Sequence, residues 1–298
     1  MFEWNKSVQK MIDIIEEHLT STITLDMIAD KLNYSSYYCT RQFHQFVGIS
    51  LRNYIRLRKV SAAALDLRDT DDRILDIAFK YGFSSQEAFS RSFRKEYGLS
   101  PFQYRKMLNP LPLFIKRNTY NPYFLGIDIP IKDMNKKEVN ISIQVIPKHQ
   151  FIGIRDNNVD NYYDFWARQE KEYKRECYKV SGLLESIKSY NGVVGGWFYE
   201  NKQKGYLYGI EVPCPVSPVI PVYFEKLIIP KSIYVIFHYP PYQYNEEDNI
   251  VYHLLKEKMD SFNPNDYGYE YHLSNPIYQR HNPEKYGQAI CVPVKVKE

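Results

Sequence analysis

Two short stretches of this chain carry side chains of the kind that hydrogen-bond to base edges. The first holds Ser36, Tyr37, Tyr38, Thr40, Arg41, His44 and Gln45. The second, fifty residues on, holds Ser85, Gln86, Glu87, Ser90, Arg91 and Arg94. Arginine grips guanine O6 and N7 in a fork, glutamine does the same for adenine N6 and N7, and threonine or tyrosine meets bases or the thymine methyl. This chemistry needs a helix that fits the major groove and offers its first turns to the bases. The spacing supplies one. Cys39, Phe43 and Phe46 fall at i, i+4 and i+7, and Phe89, Phe93 and Tyr97 form the matching stripe, so the polar set is left on the outer face. Each residue also has a plainer role open to it. Glu87 completes an S-x-x-E capping box from Ser84, and Arg41 and Arg91 could be surface ion pairs. Arg52, Arg56 and Lys59 suit phosphate contacts, which position a protein without specifying sequence.

The elements that must hold these helices are legible as caps and stripes. Val8, Met11, Ile12, Ile15 and Leu19 predict a first helix over 7–19. Thr24 can cap a second, with Asp26 in its first turn. Ser35 or Ser36 can cap a third, ended at Gly48. A long helix is expected over 51–67, a break at 69–73, a short helix from Ile74, and a further one ended near Gly98. Ser100, Pro101 and Gln103 open the next with a second box.

This region repeats itself. A shift of 49 lays Ile28 and Ala29 on Ile77 and Ala78, and Ser35-Ser36 on Ser84-Ser85. A shift of 50 lays Arg41 on Arg91, Phe43 on Phe93, Gly48 on Gly98, Ser50 on Ser100 and Tyr54 on Tyr104. One helix-turn-helix unit has been copied, with one residue inserted in the second copy. Charge follows the same plan. Five basic residues and no acid lie between Tyr37 and Lys59, and residues 73–106 carry a net +4, within a chain of net charge +4. Two local basic segments suggest two places that meet phosphate, although solvated helix faces would give the same count.

The segment resembles the AraC/XylS family. The residues that carry this are the Ile28-Ala29 pair, Ser35 through Gly48 with Arg41 and Phe43, Tyr54-Ile55-Arg56-x-Arg58, and the run from Ile74 to Lys106. The resemblance implies two helix-turn-helix units joined by a long helix. Both recognition helices would enter successive major grooves about 34 Å apart on one face of double-stranded DNA. It also implies that Tyr37, Thr40, Arg41, Gln86, Glu87 and Arg91 face the bases.

Beyond Pro110 the composition changes, and 21 of the 28 tyrosines lie in residues 111–298. Strand-like runs alternate with helical ones, and Ile146-Pro147-Lys148 recurs as Ile229-Pro230-Lys231. The expected fold is therefore two domains: an all-α N-terminal domain with two helix-turn-helix units over 1–108, a linker over 109–139, and an α+β C-terminal domain of two β-α-β-β repeats over 140–298. A seam between repeats is a natural ligand cleft.

The second domain resembles the GyrI-like effector-binding fold, through Tyr163-Asp164-Phe165-Trp166, Tyr234 to His238, and Val292-Pro293-Val294. That family binds lipophilic, often cationic, molecules between aromatic rings beside a glutamate, where cation–π attraction and a carboxylate act together. Here the corresponding stretch, Pro276 to His281, holds no acid, and Glu211 or Glu270 is the substitute. Pocket candidates are Trp166, Trp197, Tyr199, Tyr208, Glu211, Phe237 and Tyr278. Ordinary strand packing is the alternative for each aromatic.

The remaining features limit the reading. No G-x-S-x-G, H-E-x-x-H or P-loop is present, so the chain is not read as an enzyme. Some GyrI-like relatives are hydrolases, which leaves hydrolysis, drug sequestration or protein docking as other roles for the second domain. The four cysteines, Cys39, Cys177, Cys214 and Cys291, lack C-x-x-C or zinc spacing, and neither metal nor cofactor is expected. No apolar run approaches the roughly 18 residues of a membrane span, and the amphipathic start does not read as a secretory signal. The expectation is a cytoplasmic, ligand-responsive activator or repressor. Its partners would be DNA, a small effector and RNA polymerase, with no membrane. The sequence leaves its oligomeric state open.

Overall fold

A computed structural model describes residues 2–120, 137–214 and 219–297. The expected linker therefore lies partly outside the described residues. The chain forms two compact units, one of residues 1–125 with 178–187, the other of 126–177 with 188–298.

Unit 1 opens with α1 (Phe2–Glu17), α2 (Leu25–Leu32), α3 (Ser36–Val47), α4 (Leu51–Asp69), α5 (Ile74–Lys80), α6 (Gln86–Tyr97) and α7 (Pro101–Met107). Its caps are side-chain driven. Thr24, Ser35, Ser50, Ser85 and Ser100 each accept a backbone N–H at the start of a helix, and Ser100 with Gln103 completes a capping box. The second copy is capped by Ser85, two residues before Glu87, and not by Ser84 as the S-x-x-E pattern predicts. The inserted residue thus lies in the turn before α6, and α3 and α6 match in length. Gly48 and Gly98 end these helices with φ of 79° and 76°, a left-handed geometry that glycine adopts without strain.

Each copy buries its own core. In the first, Val8, Ile12, Ile28, Cys39 and Phe43 pack with Tyr54 of α4. In the second, Ala64, Ile77, Phe89 and Phe93 pack with Tyr104. The stretch after α7, expected as linker, is in part built into unit 1. Leu111 and Leu113 are buried in the second core, and Phe114 packs on the first. Ser61 accepts the Phe114 N–H at 2.8 Å, and Gln9 accepts the Thr119 N–H at 2.7 Å.

Unit 2 is an antiparallel sheet with helices. In chain order the elements after α7 are β1 (Asn140–Ile146), β2 (His149–Asp156), α8 (Tyr162–Tyr173), α9 (Cys177–Glu185), β3 (Val193–Glu200), β4 (Gln203–Pro213), β5 (Glu225–Ile229), β6 (Ser232–Tyr239), α10 (Tyr244–Ser261), β7 (Tyr269–Tyr271), β8 (Ile277–Asn282) and β9 (Gly287–Val296), all but α9 lying in unit 2. From Tyr178 onward α9 belongs to unit 1, where Gly182 packs against the Leu113 backbone so closely that a Cβ would clash.

The strand order is β1-β6-β9-β8-β3-β4-β2-β5, with β7 added on β9. It reads as a palindrome. β1 answers to β5, β2 to β6, β3 to β8 and β4 to β9. Setting aside α9 and the short β7, each half of the sequence runs β-β-α-β-β, where β-α-β-β was expected. The leading strand does not pair with its neighbour in sequence. β1 pairs with β6 and β5 with β2, so each half lends its first strand to the other. Side-chain alternation then gives the sheet two faces. One carries Val235, Phe237, Ile290 and Val292 beneath Val251 and Leu255 of α10, and the other carries Phe151, Val194, Tyr234, Tyr278 and Cys291.

Candidate nucleic-acid interface

The two reading helices are held at matching positions by matching contacts. Phe43 meets Tyr54 ring to ring at 5.3 Å, and Phe93 meets Tyr104 at 5.8 Å. These contacts fix which side of α3 and α6 remains outside. On α3, Tyr37, Thr40, Arg41, His44 and Gln45 are exposed, and Tyr38 is half-buried beside Tyr34. On α6, Gln86, Glu87, Arg91 and Arg94 are exposed and Ser90 is half-buried.

The surface ion pairs that would have used up the arginines are not formed. Among the described residues Arg41, Arg52 and Arg94 have no hydrogen bond or ion pair, and Arg91 meets one nearby charge, that of Glu87. Free, exposed guanidinium groups on a helix face are available to bases and phosphates. Other members of the predicted set are partly committed. The Ser36 hydroxyl donates to Asp26 at 2.6 Å, tying α3 to α2, and Thr40 donates to the Ser36 carbonyl at 2.9 Å. Ser85 caps α6. Its hydroxyl, followed by the Glu87 backbone N–H, holds the Glu87 carboxyl below the usual carboxylate range. Capping therefore accounts for Glu87 locally while its side chain stays exposed.

The residues expected at phosphates divide. Arg52 is exposed and free. Arg56 is half-buried and fully engaged. It donates to Asn53 at 2.9 Å, to Glu96 at 3.1 Å and to Ser92 at 3.4 Å, and so ties α4 to α6. Lys59 donates to the Ser21 carbonyl at 3.1 Å, and burial pushes its pKa down. Arg58, counted in the basic segment, lies inside. It forms a two-pronged pair with Glu16 at 2.7 and 2.8 Å and donates to the Phe114 carbonyl. The +5 segment of the sequence thus presents fewer outward charges than its composition implies. Asn53, Ser92 and Glu96, which set the attitude of α6, were missed by the sequence reading. The spacing of Asn53 and Arg56 at i, i+3 was the available signal.

The seven pocket candidates of unit 2 scatter. Trp166 and Tyr208 meet at 4.9 Å, and Trp197 is linked to them through Tyr206 at 6.2 Å and then Phe165, which meets Tyr206 at 5.3 Å and Trp166 at 5.1 Å. Tyr199 is exposed at the end of β3. Phe237 lies under α10, and Tyr278 is buried on the opposite face of the sheet. Glu211, 1 % exposed, is not a free ligand carboxylate. Arg280 donates to both of its oxygens at 2.9 Å, and Asn191 donates at 2.9 Å. Glu270 is half-buried and paired with Lys295 at 2.8 Å. Tyr162, absent from the candidates, joins the cluster 6.2 Å from Tyr208, with its hydroxyl 3.3 Å from the Cys177 thiol. None of the four cysteines forms a disulfide among the described residues. Among the described residues no group of acidic, histidine and cysteine side chains could hold a metal ion, and no helix is long and apolar enough to cross a membrane.

Paired helix-turn-helix units with free arginines on both second helices define a sequence-specific DNA-binding regulator. Comparison with known proteins agrees. A family model described as a helix-turn-helix domain matches residues 28–107. Regulatory protein SoxS of Salmonella typhimurium is 40% identical over 101 residues, 34% of this chain and 94% of that protein. YkgA of Escherichia coli, described as an HTH-type transcriptional regulator, is 32% identical over 189 residues, 62% of this chain and 77% of its own. YbfP of Bacillus subtilis, also described as an HTH-type transcriptional regulator, is 44% identical over 105 residues, and the match spans 36% of its length. The chain belongs to the AraC family of transcription regulators.

Proposed function

We propose that this regulator reads DNA with α3 and α6 in successive major grooves and answers to a small, lipophilic, aromatic effector bound by unit 2. Arg41 and Arg91 would take base edges, with Tyr37, Thr40, Gln86 and Glu87 beside them. Arg52 would take phosphate, and Arg56 would hold α6 in place.

The effector site would be built on α8, β3 and β4, from Tyr162, Trp166, Trp197 and Tyr208. One observation carries this reading. Trp166 is buried, and its indole N–H has no hydrogen-bond partner among the described residues. A buried donor left unmade is costly and invites an acceptor. Glu211 is committed to Arg280, and Asp160, beside Trp197, is paired with Lys204 at 3.6 Å, so neither carboxylate is left over for a cation. A neutral aromatic with a hydrogen-bond acceptor suits it better. An effector acts through its differential affinity for DNA-competent and incompetent states, and RNA polymerase is the further partner through which occupancy would become regulation.

The test is tryptophan fluorescence against a panel of neutral and cationic aromatics, with operator affinity measured with and without each binder. Neutral acceptors should quench, and Trp166→Phe should abolish the effect. A panel with no saturable binder, or binders that leave operator affinity unchanged, would remove the effector reading.

A further inference from the structure

We propose that unit 2 holds a second, polar site that binds a small zwitterion of the amino-acid type. A cavity of about 340 Å³ opens where the ends of β2, β3 and α8 meet the start of β5. Trp166 and Tyr208 do not line it, so it is separate from the aromatic cluster.

Arg175 is the first indication. Its guanidinium lies between the rings of Tyr173 and Tyr223, 4.7 and 4.6 Å from their centres, and it donates to the Gln169 side-chain amide oxygen at 2.9 Å. The other three arginines of unit 2, Arg155, Arg168 and Arg280, each hold a carboxylate. Arg175 holds none among the described residues. A half-buried cation stacked in place but lacking a counter-charge is set up for an incoming anion, and its planar fork matches a carboxylate. Stacking and the Gln169 bond have already fixed the side chain, so little rotamer freedom remains to be lost on binding.

The facing wall carries three carboxylates, those of Asp156, Glu225 and the exposed Glu200, with Arg155, Asn157 and Asn158 among them. Glu200 and Glu225 each spend one oxygen, on Asn157 at 2.6 Å and on Arg155 at 2.8 Å, and the other oxygen of each has no partner among the described residues. These two oxygens would accept from an ammonium. Asp156 is already satisfied by Arg168 at 3.0 Å and by the Asn158 backbone and side-chain N–H groups. A phosphate would meet three carboxylates here, and a plain cation would meet Arg175. A molecule with a carboxylate at one end and an ammonium at the other satisfies both walls, and the volume accommodates a long polar side chain or a second residue.

The experiment is calorimetric titration of the full chain with L-glutamine, glycyl-L-glutamine, L-glutamine amide, N-acetyl-L-glutamine and inorganic phosphate. One zwitterion should bind per chain, and each blocked form should bind at least about tenfold more weakly. Arg175→Gln should erase the preference over the amide, and Glu200→Gln the preference over the acetylated form. Tyr208→Ala should leave binding unchanged, which keeps this result distinct from any failure of the effector reading. Should Arg175→Gln fail to fold, Glu200→Gln alone decides. Equal binding of blocked and free forms, tighter binding of phosphate, or no saturable heat with either zwitterion would overturn the proposal.

Discussion

The two helix-turn-helix copies bury the same residue types at Ile28 and Ile77, Ala29 and Ala78, Phe43 and Phe93, and Tyr54 and Tyr104, differ at Cys39 and Phe89, and show different outer faces. α3 offers one arginine with tyrosine, histidine and glutamine, and Tyr37 is 74% exposed. α6 offers two arginines, a glutamine and a glutamate. The supports differ as well. α3 is tied to α2 through Ser36 and Asp26, whereas α6 is tied to the long α4 through Arg56, Ser92 and Glu96. Duplication kept the scaffold and let the reading faces diverge. The charge-rich α6 should supply most of the base discrimination, and α3 more of the fit.

The scaffold should break most severely. Phe43→Ala and Phe93→Ala should each cost about 3–5 kcal/mol in stability by denaturant unfolding, because each empties the centre of one copy. A much smaller loss in one copy would show that the two cores are not equivalent. On DNA, Arg91→Ala should cost about 1–3 kcal/mol on the specific duplex and little on random sequence. Equal losses on both duplexes would take Arg91 off the base-reading list. Arg56→Ala should weaken all duplexes alike and also lower the melting temperature, since it unties α6.

Tyr54 and Tyr104 sharpen the comparison. They occupy equivalent positions, but the Tyr54 hydroxyl accepts the Arg117 N–H at 3.2 Å, whereas the buried Tyr104 hydroxyl has no partner among the described residues. Tyr54→Phe should cost about 1 kcal/mol, and Tyr104→Phe should be neutral or stabilising. Burial pushes the Tyr104 phenol up to about 12. The folded chain then keeps a proton that the unfolded chain gives up near pH 10, so this contribution to stability is whole below pH 10 and is lost between about 10 and 12. Alkaline unfolding of Tyr104→Phe should be shallower over that window. The smallest effect is expected at Tyr37→Ala, under about 1 kcal/mol on specific binding and none on stability.

How much could be read in advance followed the range of the interactions. Caps, stripes and the repeat are local, and Thr24, Ser35, Gly48, Ser50 and Ser100 all stand where their neighbours dictate. The capping residue of α6 was misplaced because Ser84 and Ser85 are both competent and Glu87 suits either. The exchange of β1 and β5 was not legible, because it depends on pairing between residues far apart in sequence, such as Asn140 with His238 and His149 with Ile229. The pocket candidates were scattered by register. Trp197 pairs with Ile277, so Tyr278 faces the other way, and a shift of one residue would have reversed this. Glu211 was avoidable. It stands three residues from Tyr208 on one strand, and alternation alone puts the two on opposite faces.

The most direct test is base-resolved footprinting on duplexes selected from a random pool, for the parent chain, Arg41→Ala and Arg91→Ala. Two protected major-groove segments should appear, centred about 10 base pairs apart, with Arg41→Ala fading one and Arg91→Ala the other. A single protected segment, or the same bases lost in both variants, would contradict the picture of two helices reading adjacent grooves.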